Sequence, residues 1–298
     1  MTWLLLGGGA VLALAYAFAC LHLADCFTRS KRRRVEGTPG EYGLRYEDVQ
    51  FRAADRVILR GWYMDSPGAR ATVLLIHGSE TTRADDEHGL LRLQYDYVRR
   101  GYNVFSFDLR GRGESSGRRD HLGSQEQRDL VAAVAVVRRR AHDLPLILHG
   151  FDLGASLAIA GIASGIVADA VIADTACTSA REALRERWHR WPAPLFASAC
   201  WVARSLYRAD PDALVPLDAI RESSDLPMLL IHGEDDEQLS PAHTLNLAAA
   251  TLDPRHHLWI VPDVGHCGAY LDNPDLYLRR CLALIEQAVP TRLLASVG

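Results

Sequence analysis

One short stretch, residues 144–163, constrains the fold of this chain more than any other. It begins with an apolar run typical of a buried strand and continues as a helix rich in small residues. Between the two segments, Asp152 stands in a turn flanked by Gly150 and Gly154. Glycines on both sides permit a strained turn that lifts the middle side chain over the edge of a sheet, with a helix N-terminus behind it. The stretch therefore predicts a strand–turn–helix unit that presents a carboxylate.

Strand-like and helix-like segments alternate along most of the chain. The predicted strands are residues 45–51, 57–64, 71–77, 103–108, 144–148, 170–173, 226–231 and 257–261. The first two are predicted to pair antiparallel, and the others alternate with helices, which is typical of a doubly wound sheet. We therefore expect an α/β fold with a mostly parallel, eight-stranded sheet flanked by helices. A small helical cap is expected at about 175–216, where aromatic residues interrupt the alternation.

The N-terminal segment predicts a membrane anchor. Residues 3–24 carry no formal charge, and as a helix they would span about 33 Å, enough for the hydrocarbon core of a bilayer. Arg29 and the basic run 31–34 follow directly, whereas nothing basic except the amino terminus precedes the segment. This bias predicts a single-pass helix with its N-terminus outside and the remaining chain in the cytoplasm. One alternative stays open, a lipoprotein cleavage site before Cys20, although it would lack the usual basic segment in front.

These patterns divide the chain into a transmembrane anchor (1–28), a basic and polar linker (29–41) and one domain (42–298) that contains the cap. A chain of 298 residues can bury one large core or two smaller ones. The formal net charge of -4 gives no field that favours nucleic acid, so no nucleic-acid partner is expected. The six cysteines lack the spacing of a metal site or a disulfide framework, and we predict neither a metal nor a cofactor.

Three chemically capable side chains follow three predicted strands, in the order Asp152, Asp236, His266. Nucleophile, acid and base in that sequence is the chain order of the α/β-hydrolase fold. The motifs that carry the resemblance are Gly61-Trp62-Tyr63, His77-Gly78, the loop 108–115, His232-Gly233 with Asp236, and Gly265-His266. On these motifs, residues 39–284 resemble the α/β-hydrolase superfamily. The resemblance is strongest to membrane-anchored bacterial hydrolases with serine-aminopeptidase-like or dienelactone-hydrolase-like domains, which implies a location in the bacterial inner membrane.

The resemblance implies roles for individual residues. Asp236 would orient the base His266, and the amides of Ser79 and Leu153 would form the oxyanion hole. Asp236 is preferred to Asp235 because the family pattern H-G-x-x-D, counted from the histidine at position 232, ends there. Some haloalkane dehalogenases place the orienting acid at the end of the preceding strand instead, which would make Asp174 the alternative.

The strand–turn–helix unit at Asp152 differs from the corresponding unit of serine hydrolases, because the chain has Asp152 where those relatives have the nucleophilic Ser. Epoxide hydrolases and haloalkane dehalogenases resemble it in using Asp. A carboxylate attacks ordinary esters poorly, but at an sp3 carbon it forms an enzyme ester, which water activated by His266 then hydrolyses. Dehalogenases usually have Trp directly after the nucleophile, and this chain has Leu153. The favoured reaction is therefore epoxide-type opening of a small lipophilic substrate, with Tyr207, His189 or cap indoles as candidate proton donors.

Two other functions stay open. With Asp152 and Asp236 both beside His266, the imidazolium could be locked in an ion pair, which would leave a catalytically inactive module that binds a ligand or a partner. A divergent carboxylesterase or peptidase-like hydrolase is the other alternative, although the neighbouring Ser156 lies one turn into the helix.

Two groups of residues carry structural expectations. The loop residues Arg110, Arg112 and Glu114 are expected to be solvated at the rim of the pocket. The tryptophans at positions 188, 191 and 201 are expected to pack inside the cap.

Overall fold

The structure, a computed structural model, describes residues 2–222, 226–251 and 255–295, with side chains from residue 7 to residue 289 of those ranges. The last residues of the predicted domain, 296–298, lie outside them. The strands are β1 Glu47–Arg52, β2 Ile58–Met64, β3 Thr72–Ile76, β4 Asn103–Phe107, β5 Leu146–Phe151, β6 Ala170–Asp174, β7 Met228–Gly233 and β8 His256–Val261. The helices are α1 Thr2–Thr28, α2 Leu90–Arg99, α3 Glu126–Arg140, α4 Leu153–Ala163, α5 Ala180–Arg187, α6 Ala193–Tyr207, α7 Pro216–Glu222, α8 Ala242–Ala249, α9 Ala269–Asp272 and α10 Pro274–Ala295, with a short 3₁₀ helix at Pro39–Tyr42.

The eight strands form one sheet in the order β1-β2-β4-β3-β5-β6-β7-β8. β1 pairs antiparallel with β2 and β2 with β4, whereas every pairing from β4 to β8 is parallel. The predicted mostly parallel, eight-stranded sheet is therefore confirmed. β5 lies between β3 and β6, and all its residues are buried, as expected for a strand that helices cover on both faces. The carboxyl end of β5 thus opens at the middle of one sheet edge.

Helix α4 is rich in small residues because it is packed between the sheet and other helices. It packs on β5 and β6 and also contacts α3 and α7, and it is buried continuously from Leu153 to Gly161. Small side chains let the helix approach the sheet closely on one side and other helices on the other. This side of the sheet carries one hydrophobic core, and α2 and α10 cover a second core on the opposite face.

The C-terminal part of α1 belongs to a third hydrophobic cluster. Cys20, Leu23, Ala24 and Phe27 pack with apolar side chains of α5 and α6, which together form the helical cap between β6 and α7. Among the cap tryptophans, Trp188 contacts Phe27 edge to face. The expectation that all three pack inside the cap is wrong for the tryptophan at position 201, whose side chain is 68% exposed.

The segment after α1 lies against the domain. The Ser30 hydroxyl donates to the carbonyl of Gly111 at 2.5 Å, and the Arg32 guanidinium donates to the carbonyls of Gly113 and Gly117. These contacts hold the basic residues of the segment next to the loop that follows β4.

The loop after β4 is not solvated as expected, because its two arginines are buried in ion pairs. Arg110 is 3% exposed and pairs with Asp129 and Asp55, and Arg112 is 2% exposed and pairs with Asp120. Charged side chains are rarely buried unless they are paired, and these partners come from separate parts of the chain. Glu114 does keep an exposed side chain.

Candidate active site

Asp152 occupies the turn between β5 and α4 in a strained backbone conformation, with φ 49° and ψ -112°. A non-glycine residue with positive φ is uncommon and persists only where the surrounding structure holds it. Its amide donates to the Asp174 carbonyl at 2.9 Å, and its carbonyl accepts from the Ser156 amide at 3.0 Å. The sheet thus holds one side of the residue and the first turn of α4 holds the other.

The two flanking glycines are required by close backbone approach. A Cβ on Gly150 would collide with the carbonyl of Gly154, and a Cβ on Gly154 would collide with the carbonyl of Ile76 in β3. The turn is therefore tight enough to press α4 against the neighbouring strand. This packing explains why small residues surround Asp152 in the sequence.

The carboxylate of Asp152 is anchored at one oxygen. The Ser79 amide donates to Oδ2 at 2.8 Å, and the Ser79 hydroxyl donates to the same atom at 2.6 Å. Among the hydrogen bonds of the described residues, none reaches Oδ1, and the amide of Leu153 does not bond to this carboxylate. Of the two predicted oxyanion donors, the structure therefore brings Ser79 to the Asp152 side chain but not the Leu153 amide.

Asp236 and His266 form a hydrogen-bonded pair. His266 Nδ1 lies 2.8 Å from Asp236 Oδ2, and the amides of Gln238 and Leu239 donate to Oδ1 at 2.8 and 3.0 Å. A second histidine contacts the same carboxylate, since His232 Nε2 lies 3.3 Å from Asp236 Oδ2. The carboxylate is buried and held by several donors, so it can fix the orientation of the His266 ring.

The two alternative orienting acids lie elsewhere. Asp235 is exposed. Asp174 is buried, and its carboxylate accepts from the Tyr277 hydroxyl at 3.0 Å and from the Thr175 hydroxyl at 3.1 Å. Among the acids considered from the sequence, Asp236 is the one whose carboxylate is hydrogen-bonded to the ring of His266.

The pKa values of the pair move in opposite directions. Burial by itself raises the pKa of Asp236, but hydrogen bonds from His232, His266 and the Leu239 amide outweigh it and hold that pKa well below its usual range. Burial by itself lowers the pKa of His266, but the bond to Asp236 and the negative charges of Asp152 and Asp236 raise it above the ordinary 6.5. In the free protein the imidazole is therefore protonated up to a higher pH than usual.

A cavity of about 620 Å³ brings the predicted site residues together. Asp152, His266, Ser79 and Leu153 line it, and Asp236 lies behind His266. The other walls combine charged side chains, among them Arg29, Glu80 and Arg187, with the apolar side chains Phe27, Phe151, Leu184, Trp188 and Leu214. A cavity of this size holds a small organic ligand.

A second His–Asp pair faces the cavity, and the sequence reasoning missed it. His88 lines the cavity, and its Nδ1 is hydrogen-bonded to Oδ2 of the buried Asp85. The His88 ring meets the His266 ring edge to face, with centroids 6.1 Å apart. The local signal was an Asp-x-x-His spacing after the His77-Gly78 motif, which lets both side chains meet within one loop.

Two of the proton donors considered from the sequence and the alternative nucleophile are placed less favourably, whereas the indole of Trp188 lines the cavity. Tyr207 stacks on Arg119, and His189 is exposed; neither lines the cavity. Ser156 does line it, but its hydroxyl donates to the Asp152 carbonyl at 3.1 Å and accepts from the Cys177 amide at 3.1 Å.

Within the described ranges, no group of three or more His, Cys, Asp or Glu residues is arranged to hold a metal ion.

Comparisons with known proteins agree with this architecture. A family model described as the alpha/beta hydrolase family matches residues 73–280. The chain is 28% identical over 260 residues to YfhR of Escherichia coli K12, covering 82% of this chain and 81% of that protein. It is 27% identical over 247 residues to lysophosphatidylserine lipase ABHD12 of Xenopus tropicalis, covering 76% and 61%. The structure of the Pyrococcus furiosus esterase Pf2001 superimposes with a TM-score of 0.73 at 24% identity, covering 88% of this chain and 99% of that one.

Proposed function

The chain belongs to the α/β-hydrolase family and is by that membership a hydrolase, and we propose that it opens small lipophilic epoxides or related electrophiles through a covalent ester on Asp152. The observation that carries this proposal is the asymmetry of the Asp152 carboxylate. Its Oδ2 is held by two donors of Ser79, whereas Oδ1 has no hydrogen bond to the described residues. A carboxylate with one anchored and one free oxygen is prepared to attack with the free one.

In the first step, Asp152 Oδ1 attacks an sp3 carbon of the substrate and forms a C–O bond. The C–O bond of the ring breaks, its electron pair goes to the departing oxygen, and that oxygen takes a proton. We assign the proton to His88, because its ring lines the cavity with Nδ1 bonded to Asp85, which leaves Nε2 as the atom able to donate. This pair supplies the acid that the cap tyrosines of epoxide hydrolases would provide.

In the second step, water hydrolyses the enzyme ester. His266 takes a proton from the water, and the hydroxide attacks Cγ of Asp152. The ester carbonyl oxygen at that stage is Oδ2, so the negative charge of the tetrahedral intermediate develops next to the Ser79 amide and hydroxyl. Collapse breaks the bond between Cγ and Oδ1, His266 returns the proton to the leaving alkoxide, and the product keeps the former Asp152 oxygen. The carboxylic acid left on Asp152 then releases its proton, which replaces the one that His88 donated in the first step.

Ester formation also prepares the base. In the free protein the charges of Asp152 and Asp236 both raise the pKa of His266. Once Asp152 is an ester it is neutral, so one of these two causes disappears and the imidazole releases its proton more readily. Of the two carboxylates that could hold His266 in an ion pair, only Asp236 keeps its charge after the first step. An aspartate nucleophile and a histidine base are compatible in this site for that reason.

The substrate is proposed to be lipophilic and to reach the enzyme from a membrane. Helix α1 provides 22 residues, Gly7–Thr28, that are long and apolar enough to cross a bilayer. Part of the cavity wall is formed by the apolar side chains Phe27, Leu184 and Trp188, and the relative ABHD12 is named a lipase. We propose a single-pass anchor in a bacterial inner membrane, with the hydrolase domain on the cytoplasmic side because the basic run follows the span. A reporter fused at residue 298 should be active in the cytoplasm, and a periplasmic signal would contradict this orientation.

Isotope transfer tests the nucleophile directly. The protein, in excess over styrene oxide or another epoxide selected from a panel of lipophilic epoxides and esters, is allowed one turnover in H2-18O. The peptide that contains Asp152 should gain one heavy oxygen, and the peptide that contains Asp236 should gain none, which provides an internal control. Product formation without label on Asp152 would exclude the covalent mechanism.

The Asp152→Ser variant separates an active site from an inactive one. If the base and the oxyanion donors are competent, the variant should hydrolyse p-nitrophenyl esters, because a serine nucleophile suits acyl transfer. Since Ser79 already bonds to the carboxylate and the negative charges around His266 raise its pKa in the free protein, an inactive binding module is the competing function. A folded but inert Asp152→Ser protein that retains ligand binding, together with a wild type that turns over no epoxide or ester in the panel, would favour that module.

A further inference from the structure

We infer that cap helix α6 lies in the bilayer beside α1, so that the cavity opens in the membrane surface. This inference rests on the proposed membrane anchor and adds a second membrane-embedded element. The exposed face of α6 and the exposed face of α1 together form the surface that contacts the lipid bilayer.

The apolar span of α1 runs alongside α6 for part of its length. The Tyr16 hydroxyl is hydrogen-bonded to the Ser198 hydroxyl of α6 at 2.9 Å, so α6 already lies beside α1 at that point. Tyr16 is near the middle of the 22-residue span Gly7–Thr28, which as a helix is about 33 Å long against a hydrocarbon core about 30 Å thick. A span that crosses the bilayer must therefore include turns of α1 that α6 accompanies.

The burial of α1 changes along its length in the same way. Residues 7–18 are exposed on all sides. From Cys20 onward one face is buried against the cap, with Leu23, Ala24 and Phe27 on it, while Leu21 and His22 on the other face stay exposed. A helix that has one face on protein and the other exposed at the depth of the membrane places its protein partner at that depth too.

The exposed face of α6 has the composition of a surface in contact with lipid. Residues 193–203 contain no charged side chain, and the exposed Arg204 that follows is paired with Asp210. Trp201, at 68% exposure, stands one turn after Ser198 and thus on the side of α6 that reaches Tyr16, and Leu206 is 60% exposed. Large apolar side chains exposed on one helix mark a surface that contacts a partner or a membrane.

The charges around the cavity agree with this depth. Cys26 and Phe27, at the end of α1, line the cavity, and so do Arg29, Lys31 and Arg33 directly after it. Arg29 and Lys31 have largely exposed side chains, although both are paired with acidic residues. Basic residues at the end of a span lie at the headgroup layer. The mouth of the cavity would thus be at the boundary from which a lipophilic molecule dissolved in the bilayer can enter.

Quenching by brominated lipid tests the position of Trp201. Full-length wild type and Trp201→Phe are reconstituted into phosphatidylcholine vesicles with and without acyl-chain bromine, and the difference between the two proteins isolates the emission of residue 201. We expect brominated lipid to quench this emission roughly two-fold, because a ring on the side of α6 that reaches Tyr16 lies among the acyl chains, near the middle of the Gly7–Thr28 span. As a matched control, the double variant Trp201→Phe, Val131→Trp carries a tryptophan at an exposed apolar position of α3, remote from α1, and should not be quenched.

Vesicle flotation in alkaline carbonate, run on the same samples, reports the anchor separately from the cap. Flotation with quenching at residue 201 supports the inference. Flotation without that quenching overturns the embedded cap and leaves the anchor standing, and a dimer in sedimentation would then assign the α6 face to a second copy of the chain. Protein that does not float contradicts the anchor and this inference together, without bearing on Asp152.

Discussion

Two histidine–aspartate pairs line the same cavity from different parts of the fold, and their difference is instructive. His266 and Asp236 come from the loops after β8 and β7, whereas His88 and Asp85 both come from the loop after β3. Each pair leaves Nε2 of its imidazole as the atom available for chemistry. The second pair closes within four residues, but the first requires two parallel strands to bring residues thirty positions apart into contact.

The surroundings of the two pairs assign them different tasks. Asp236 is held by His232 and by the amides of Gln238 and Leu239, and its charge adds to that of Asp152 on the His266 ring. The imidazole of His266 therefore releases its proton more readily once Asp152 has lost its charge. The second histidine has the buried carboxylate of Asp85 as its hydrogen-bonded partner. We therefore expect the first imidazole to act in ester hydrolysis and the second in ester formation.

Replacing His266 should have the largest effect. In His266→Gln the enzyme ester should form and persist, because the water has no base, and its hydrolysis should slow by about 10³-fold. Intact mass spectrometry after addition of styrene oxide, or of the epoxide selected from the panel, would show stoichiometric adduct on this variant. His189→Gln, which changes an exposed cap histidine outside the cavity, is the matched control and should turn over normally. An equal loss of activity without adduct would place His266 in the first step instead.

Replacing His88 should slow the other step. In His88→Gln the rate of adduct formation should fall by about 10²-fold, since the departing oxygen has no acid, while hydrolysis of the preformed ester continues at the wild-type rate. Rapid-quench mass analysis separates the two rates. His142→Gln, at a surface histidine beside Asp143, serves as the control, and equal slowing of both steps would indicate a structural role.

Removing the orienting acid of the second pair should have a smaller effect. Asp85→Asn leaves the His88 ring in the cavity but removes the charge that orients it, so adduct formation should slow about tenfold, less than on loss of the acid itself. Asp86→Asn changes the exposed neighbouring carboxylate and should have no effect. If both variants behave like wild type, His88 does not depend on Asp85, and the second pair is not a functional unit.

The smallest expected effect is a shift in the pH dependence of ester hydrolysis relative to the titration of His266 in the free protein. The raised pKa of His266 means that its imidazole is protonated, and inactive as a base, up to a pH above 6.5 in the free protein. Because esterification removes the Asp152 charge, the acid limb of single-turnover ester hydrolysis should lie at lower pH than the His266 titration of the free protein followed by NMR. Coincident curves would show that the Asp152 charge does not control the base.

Local sequence was sufficient wherever the determining contacts are local. The β5–turn–α4 unit follows from an apolar run, two glycines and a small-residue helix, all within about twenty positions. Spacing within family motifs also indicated Asp236 rather than Asp235, and the structure shows only the former hydrogen-bonded to His266.

Charged and aromatic residues were misjudged where distant partners decide their environment. Arg110 and Arg112 lie in a glycine-rich loop that resembles a solvated one, but Asp129 and Asp120 neutralise them in the interior. Trp201 was expected in the cap interior, and a single helix does not reveal which of its faces the neighbouring helices cover.

The sequence by itself determined the alternation of strands and helices, the strained turn that carries Asp152 and the order of the three candidate catalytic residues, because periodicity, glycine positions and motif spacing are properties of the local chain. Only the tertiary structure decided that Ser79 holds one oxygen of Asp152, that a second histidine faces the cavity, and that α1 packs on the cap. Each of these depends on contacts between segments far apart in the chain, and such contacts form only when the sheet has brought its strand ends to one edge.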